Sequence, residues 1–116
     1  PLAAVVGVYA IKTLVDLKLA DNAKIRGQQL MNHFNDIKDD FPDKIKETRG
    51  RGLLTAFEMH DEPHLDGHKV SVELLNQGVY AKETHHSTVR FAPALTIEAW
   101  QVDNMAEKLR NVIKEL

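Results

Sequence analysis

The spacing of the apolar residues changes after Pro42, and that change restricts the fold more than any single motif. Leu30, Phe34, Ile37 and Phe41 fall at i, i+4, i+7 and i+11, one face of a helix. Pro42 then stops the pattern, because the residue before proline is pushed out of the helical region. From Ile45 the repeat shortens to two: Leu53, Thr55, Phe57 and Met59 alternate with Leu54, Ala56, Glu58 and His60, giving one apolar and one mixed strand face. A helical stripe and a one-sided sheet bury their apolar surfaces against each other. The expected architecture is therefore α/β of the α+β kind, a small, mostly antiparallel sheet with helices packed largely on one face.

Taken in order, the expected elements are α, α, β, β, α, β, β, α. The first helix, Leu2 to Leu17, is apolar on nearly every face until Lys12, so its first half needs a partner beyond the chain's own core. Its uncharged start at Pro1 predicts that further sequence precedes it. The second helix spans about Asp21 to Asp40. Strands Lys44 to Thr48 and Leu53 to His60 flank Arg49-Gly50-Arg51-Gly52, whose two glycines permit a tight reversal with positive φ. That segment lacks the spacing of a dinucleotide fingerprint or a P-loop and reads as a structural turn. A third helix over Pro63 to Asn76, with Leu65, Val72 and Leu75 inward, ends at Gly78. Strands Val79 to Lys82 and Thr88 to Phe91 follow. Thr96 is expected to cap a last helix, with Glu98 in its first turn and Val102, Met105, Ala106, Leu109, Val112, Ile113 and Leu116 as its core stripe.

At 116 residues, 43% apolar and 28% charged, the composition is that of an ordinary folded domain. The formal charge of −2 arises from both signs spread along the chain, and no basic block marks a nucleic-acid or anionic-membrane partner. The absence of cysteine removes disulfides, thiolate metal sites and cysteine nucleophiles. No apolar run is long enough to span a bilayer. The expected compartment is the cytoplasm, or the mitochondrial matrix in a eukaryote.

Arg90 is the candidate functional residue. It sits between Val89 and Phe91 in a short β-prone run ended by Pro93, so a planar cation with five donors is held among apolar neighbours. Two of its N–H groups match the two oxygens of a carboxylate. The alternative is an edge-strand arginine paired with a nearby Asp or Glu. His64 and His68 stand at helical spacing with His60, Asp61, Glu62 and Asp66 nearby, but no third ligand comes from a fixed position, and the segment reads as solvated surface rather than a metal site. His85 and His86 lie in the loop before the Arg90 strand. Ser71, Ser87 and Thr88 lack a nucleophile elbow, and Lys82 has Glu83 beside it, which favours the charged amine. The residues alone supply an anion clamp and no reaction centre.

Four segments, in order and at matching spacing, resemble a known family: Pro1-Leu2 before a small-residue helix; Arg49-Gly50-Arg51-Gly52-Leu53-Leu54; Gly78-Val79-Tyr80-Ala81-Lys82 with Thr84-His85; and Arg90-Phe91-Ala92-Pro93-Ala94-Leu95. They look like the carboxyl-terminal part of class III pyridoxal-phosphate aminotransferases, with the Ala-Lys-x-Thr-His segment closest to the ornithine branch. The resemblance implies that residues 1–116 form the small domain of a fold-type-I enzyme. Its catalytic lysine, cofactor aspartate and phosphate contacts would lie on a large domain outside this chain. It further implies ornithine and 2-oxoglutarate as substrates, a homodimer when intact, and Arg90 as the arginine that takes a substrate carboxylate. On the same basis no catalytic, cofactor-binding or metal residue is expected within the chain. Ala94 stands where the family's second proline is usual, and His86-Ser87 replaces the usual Gly-Asp. Acetylornithine or 4-aminobutyrate transamination, or a free-standing module that binds a small anion or a protein, are the alternatives.

Overall fold

The computed structural model describes Pro1–Leu116. Its elements are α1 (Leu2–Asp16), α2 (Leu19–Asp40), β1 (Ile45–Arg51), β2 (Leu54–Met59), α3 (Gly67–Asn76), β3 (Lys82–Thr84), β4 (Thr88–Phe91) and α4 (Ala99–Lys114). The element order is as expected. All four strands form one antiparallel sheet in the order β1-β2-β4-β3. The helical face of that sheet carries Phe57, Met59, Val89 and Phe91, all buried against Leu30, Phe34 and Ile37 of α2, Val70 and Leu74 of α3, and the stripe of α4. Phe34 anchors the layer, edge-on to Phe57 at 5.8 Å and to Phe91 at 5.3 Å, the offset geometry that aromatic quadrupoles favour.

Several boundaries differ from the expectation. Arg49, Gly50 and Arg51 lie inside β1, not in the turn, and the hairpin closes through Gly52-Leu53 alone. Gly52 has φ +56, and its backbone lies against α2 at Gly27, where a Cβ would fall 2.0 Å from the Gly52 oxygen. A two-residue loop matches the right-handed twist of the strands, which a four-residue loop does not require. Helix α3 starts only at Gly67, with Asp66 as N-cap accepting from the His68 amide at 2.9 Å, so Leu65 is buried ahead of it rather than within it. Its inward residues are Val70, Ser71 and Leu74, whereas Val72 and Leu75 point outward. With Leu65 outside the helix it does not set the phase, and the i, i+3, i+4, i+7 stripe runs through Gly67, Val70, Ser71 and Leu74. The C-terminus of α3 agrees with expectation. Gly78, at φ +80, donates to Leu75 and Val79 donates to Leu74, a Schellman closure.

Strand β3 begins at Lys82, where the segment from Val79 was expected to be extended and paired. In α4, Glu98 is itself the N-cap and forms a reciprocal capping box with Gln101, displacing Thr96 from that role. Lys44 Nζ donates to the carbonyls of Ile113 and Lys114 at 2.9 and 3.2 Å and so closes the far end of α4.

Helix α1 buries none of its residues. Leu2, Val6 and Ile11 are 81%, 60% and 65% exposed, so a helix with almost no polar stripe stands clear of the core. It is joined to α2 through Leu17 and Lys18, the latter at φ 50. No helix is long and apolar enough to cross a membrane.

Candidate functional site

With the helices on one face, the other face of the sheet is open, and the alternation of β4 sends Arg90 there. Val89 and Phe91 on either side of it are buried toward the helices, while Arg90 is exposed. Strand β4 lies between β2 and β3, so Arg90 is not on an edge; it faces Ala56 on one side and Lys82 on the other. It makes no ion pair and no side-chain hydrogen bond. Of the two readings of this residue, pairing with a neighbouring carboxylate is absent, and a free guanidinium remains.

The strand beneath it is held at both ends. On the entry side, Ser87 O accepts from Met59 N at 2.8 Å and His86 O accepts from Gly67 N at 2.8 Å, tying the β3–β4 turn to β2 and to the first turn of α3. On the exit side, Asn22 Nδ2 donates to Leu95 O at 2.7 Å and Ile97 O at 3.0 Å, tying the Ala92–Ile97 segment to α2. An arginine on an interior strand with both exits fastened has its Cα position and Cα–Cβ direction set by the fold.

The remaining charge on the open face sits mainly on β1. Glu58 of β2 accepts from Lys46 Nζ at 2.9 Å and from Arg49 Nη1 at 3.0 Å. These hydrogen bonds, Lys46 first and Arg49 second, hold the Glu58 carboxyl below its ordinary range, and Glu58 in turn raises the Lys46 amine. Sequence reasoning singled out neither Glu58 nor Lys46. The alternation of β2 put Glu58 on the mixed face, but its partners come from a register that local pattern does not specify.

The histidines fall into separate places. His64 lies in the loop before α3, so it does not share a helical face with His68. His60 Nε2 donates to Pro42 O at 3.0 Å, and His68 Nδ1 lies 3.1 Å from Glu83 Oε1 on the helical side of β3. His68 is the main reason the Glu83 carboxyl is lowered. No group of three or more His, Asp or Glu residues is arranged to hold a metal ion. His85 and His86 are exposed at φ 52 and 62, the left-handed region. Lys82 is exposed and carries no partner.

A family model described as aminotransferase class-III matches residues 1–113. Mitochondrial ornithine aminotransferase of Arabidopsis thaliana is 34% identical over 116 residues, covering 98% of this chain and 24% of that protein. Among solved structures, acetylornithine aminotransferase from Elizabethkingia anophelis superposes with a TM-score of 0.92 at 29% identity, over 100% of this chain and 29% of that one. Ornithine aminotransferase from Toxoplasma gondii ME49 gives 0.90 at 33% identity, over 99% and 27%. The chain spans about a quarter of the length of the curated relatives it matches.

Proposed function

The chain belongs to the class-III aminotransferase family, and on that premise we propose that residues 1–116 are the small carboxyl-terminal domain of a pyridoxal-phosphate-dependent ornithine:2-oxo-acid δ-aminotransferase. The intact enzyme, a homodimer on this reading, moves the δ-amino group of ornithine to 2-oxoglutarate, leaving glutamate 5-semialdehyde and glutamate.

The observation that carries the assignment of Arg90 is its lack of any partner on an anchored interior strand. A guanidinium stays protonated at any pH the protein meets, so Arg90 neither gives nor takes a proton in the reaction. It binds and orients. Each charge-assisted hydrogen bond to a carboxylate contributes roughly 1.5–3 kcal/mol when well formed. Ornithine brings one carboxylate and 2-oxoglutarate brings two, so an arginine reserved for the second substrate separates the half-reactions by charge.

On this reading the cofactor site is formed by residues outside the chain. None of its lysines is buried, and the one buried side-chain polar atom without a partner is the lone hydroxyl of Ser71 on α3, which is no phosphate cradle. Pyridoxal phosphate, when bound, supplies the amino-transfer chemistry. Its contacts belong, on this reading, to a larger domain outside these residues.

Acetylornithine as amino donor is the second reading, favoured by the likeness to the Elizabethkingia anophelis enzyme. Ornithine is preferred for the Ala81-Lys82-Glu83-Thr84-His85 segment leading into Arg90-Phe91-Ala92-Pro93. A donor panel on the intact enzyme decides between them: faster turnover of acetylornithine than of ornithine removes the first choice. For Arg90, single-turnover kinetics of Arg90→Gln are expected to lose about 10- to 100-fold in kcat/KM for 2-oxoglutarate, with the ornithine half-reaction little changed. Equal losses in both half-reactions, or none, would refute the assignment. The 116-residue chain alone is expected to show no transamination.

A further inference from the structure

Arg90 is free although a carboxylate lies within reach. Ala56 pairs with Arg90 and Glu58 pairs with Thr88, so Glu58 and Arg90 are diagonal neighbours on the same face of adjacent strands. Such positions are about 7–8 Å apart, a span that a glutamate and an arginine bridge easily. On the strands flanking β4, no other carboxylate faces that side, since Glu83 turns toward the helices and meets His68. Glu58 is instead hydrogen-bonded to two cations on β1. Lys46 takes Oε1 and Arg49 takes Oε2, so both oxygens are engaged on the side remote from Arg90.

We propose that Lys46 and Arg49 are positioning residues that sequester Glu58 and thereby keep Arg90 available to a ligand carboxylate. The proposal rests on the reading of Arg90 as the carboxylate site. Lys46 sits at the irregularity between Ile45 and Glu47, and that extra residue in β1 brings a second cation to bear on a single carboxylate of β2. With both cations removed, Glu58 turns along the diagonal and occupies the guanidinium. An internal competitor of the strength of an exposed ion pair lowers the apparent affinity for an outside carboxylate by roughly two- to sixfold.

The test uses the full 116-residue chain at ~0.15 M salt, where fields from distant charges are largely screened. In its first arm the Glu58 carboxyl is titrated by carbon-detected NMR, with and without Arg90→Gln, in the parent and in Lys46→Gln/Arg49→Gln. The expected result is an upward move of the Glu58 midpoint on Arg90→Gln that is clearly larger in the doubly substituted chain than in the parent, where only the through-space field of Arg90 is removed. An equal or smaller move in the doubly substituted chain overturns the proposal. The second arm titrates 2-oxoglutarate against the Arg90 Nε signal. Binding should weaken roughly two- to sixfold in Lys46→Gln/Arg49→Gln and recover when Glu58→Gln is added. Affinity that falls and does not recover, or that never falls, also overturns it. Should 2-oxoglutarate fail to bind the parent chain, the carboxylate-site reading fails on its own account, and the first arm still decides whether Glu58 is sequestered.

Discussion

Lys82 stands directly across the β3–β4 ladder from Arg90, and neither cation has a carboxylate partner. Like charges opposed on neighbouring strands repel, and an anion between them relieves the repulsion. Lys82→Glu converts the opposition into an ion pair. The substituted chain is expected to be more stable by roughly 0.2–1 kcal/mol in urea unfolding at low salt, with less gain at high salt. It should also lose carboxylate binding at Arg90. Lower stability at low salt would mean that the two side chains do not face each other.

His86→Gly should stabilise the chain. An L-residue in the left-handed region costs roughly 1–2 kcal/mol, and His86 has φ 62 in a turn that fastens β4 to α3. Part of that relief is offset by the larger backbone entropy of glycine in the unfolded chain, leaving an expected gain of roughly 0.5–1 kcal/mol. Chemical denaturation of the pair of proteins measures it, and a destabilised variant would show that the histidine ring earns its place through contacts.

Gly27→Ala should do the reverse of what helix propensity says. On an isolated helix the change gains about 1 kcal/mol. Here the new Cβ would fall 2.0 Å from Gly52 O and 2.8 Å from Gly52 Cα, backbone atoms of the β1–β2 turn that cannot rotate away. Helix α2 must lift off the hairpin, and a loss of roughly 1–3 kcal/mol is expected from thermal or urea unfolding. An unchanged or raised midpoint would contradict the close approach.

Asp103 links α4 to α2, accepting from His33 at 2.7 Å and from Gln29 at 2.7 Å. These hydrogen bonds, His33 first, hold its carboxyl below the ordinary value of 3.8. A carboxyl depressed on folding adds stability that is complete above its unfolded pKa and is lost as pH falls through the folded pKa. Asp103→Asn should therefore be less stable than the parent near neutrality, and the two should converge in acid below that ordinary value. A gap that persists unchanged into strong acid would assign the effect to packing instead.

Much of the fold was legible because periodicity is local. The stripe of α4 and the alternation of β2 each specify a buried face within a dozen residues, and those faces are the ones the core uses. Boundaries were less legible where a cap competes with propensity. Asp66 starts α3 at Gly67, although the polar stretch from Pro63 carries no signal against an earlier start; with Leu65 outside the helix, the inward stripe follows Val70 and Leu74 rather than Val72 and Leu75.

The sequence by itself determined the order of elements, the apolar side of each and the presence of one cation embedded in an apolar strand, because these depend on neighbours a few residues away. Tertiary structure decided whether that cation is free. Strand order makes β4 interior, register sets Lys82 against Arg90, and β1 draws Glu58 aside through Lys46 and Arg49. Each of these is a pairing between segments distant in the chain, and a shift of one residue in register would send every side chain to the opposite face.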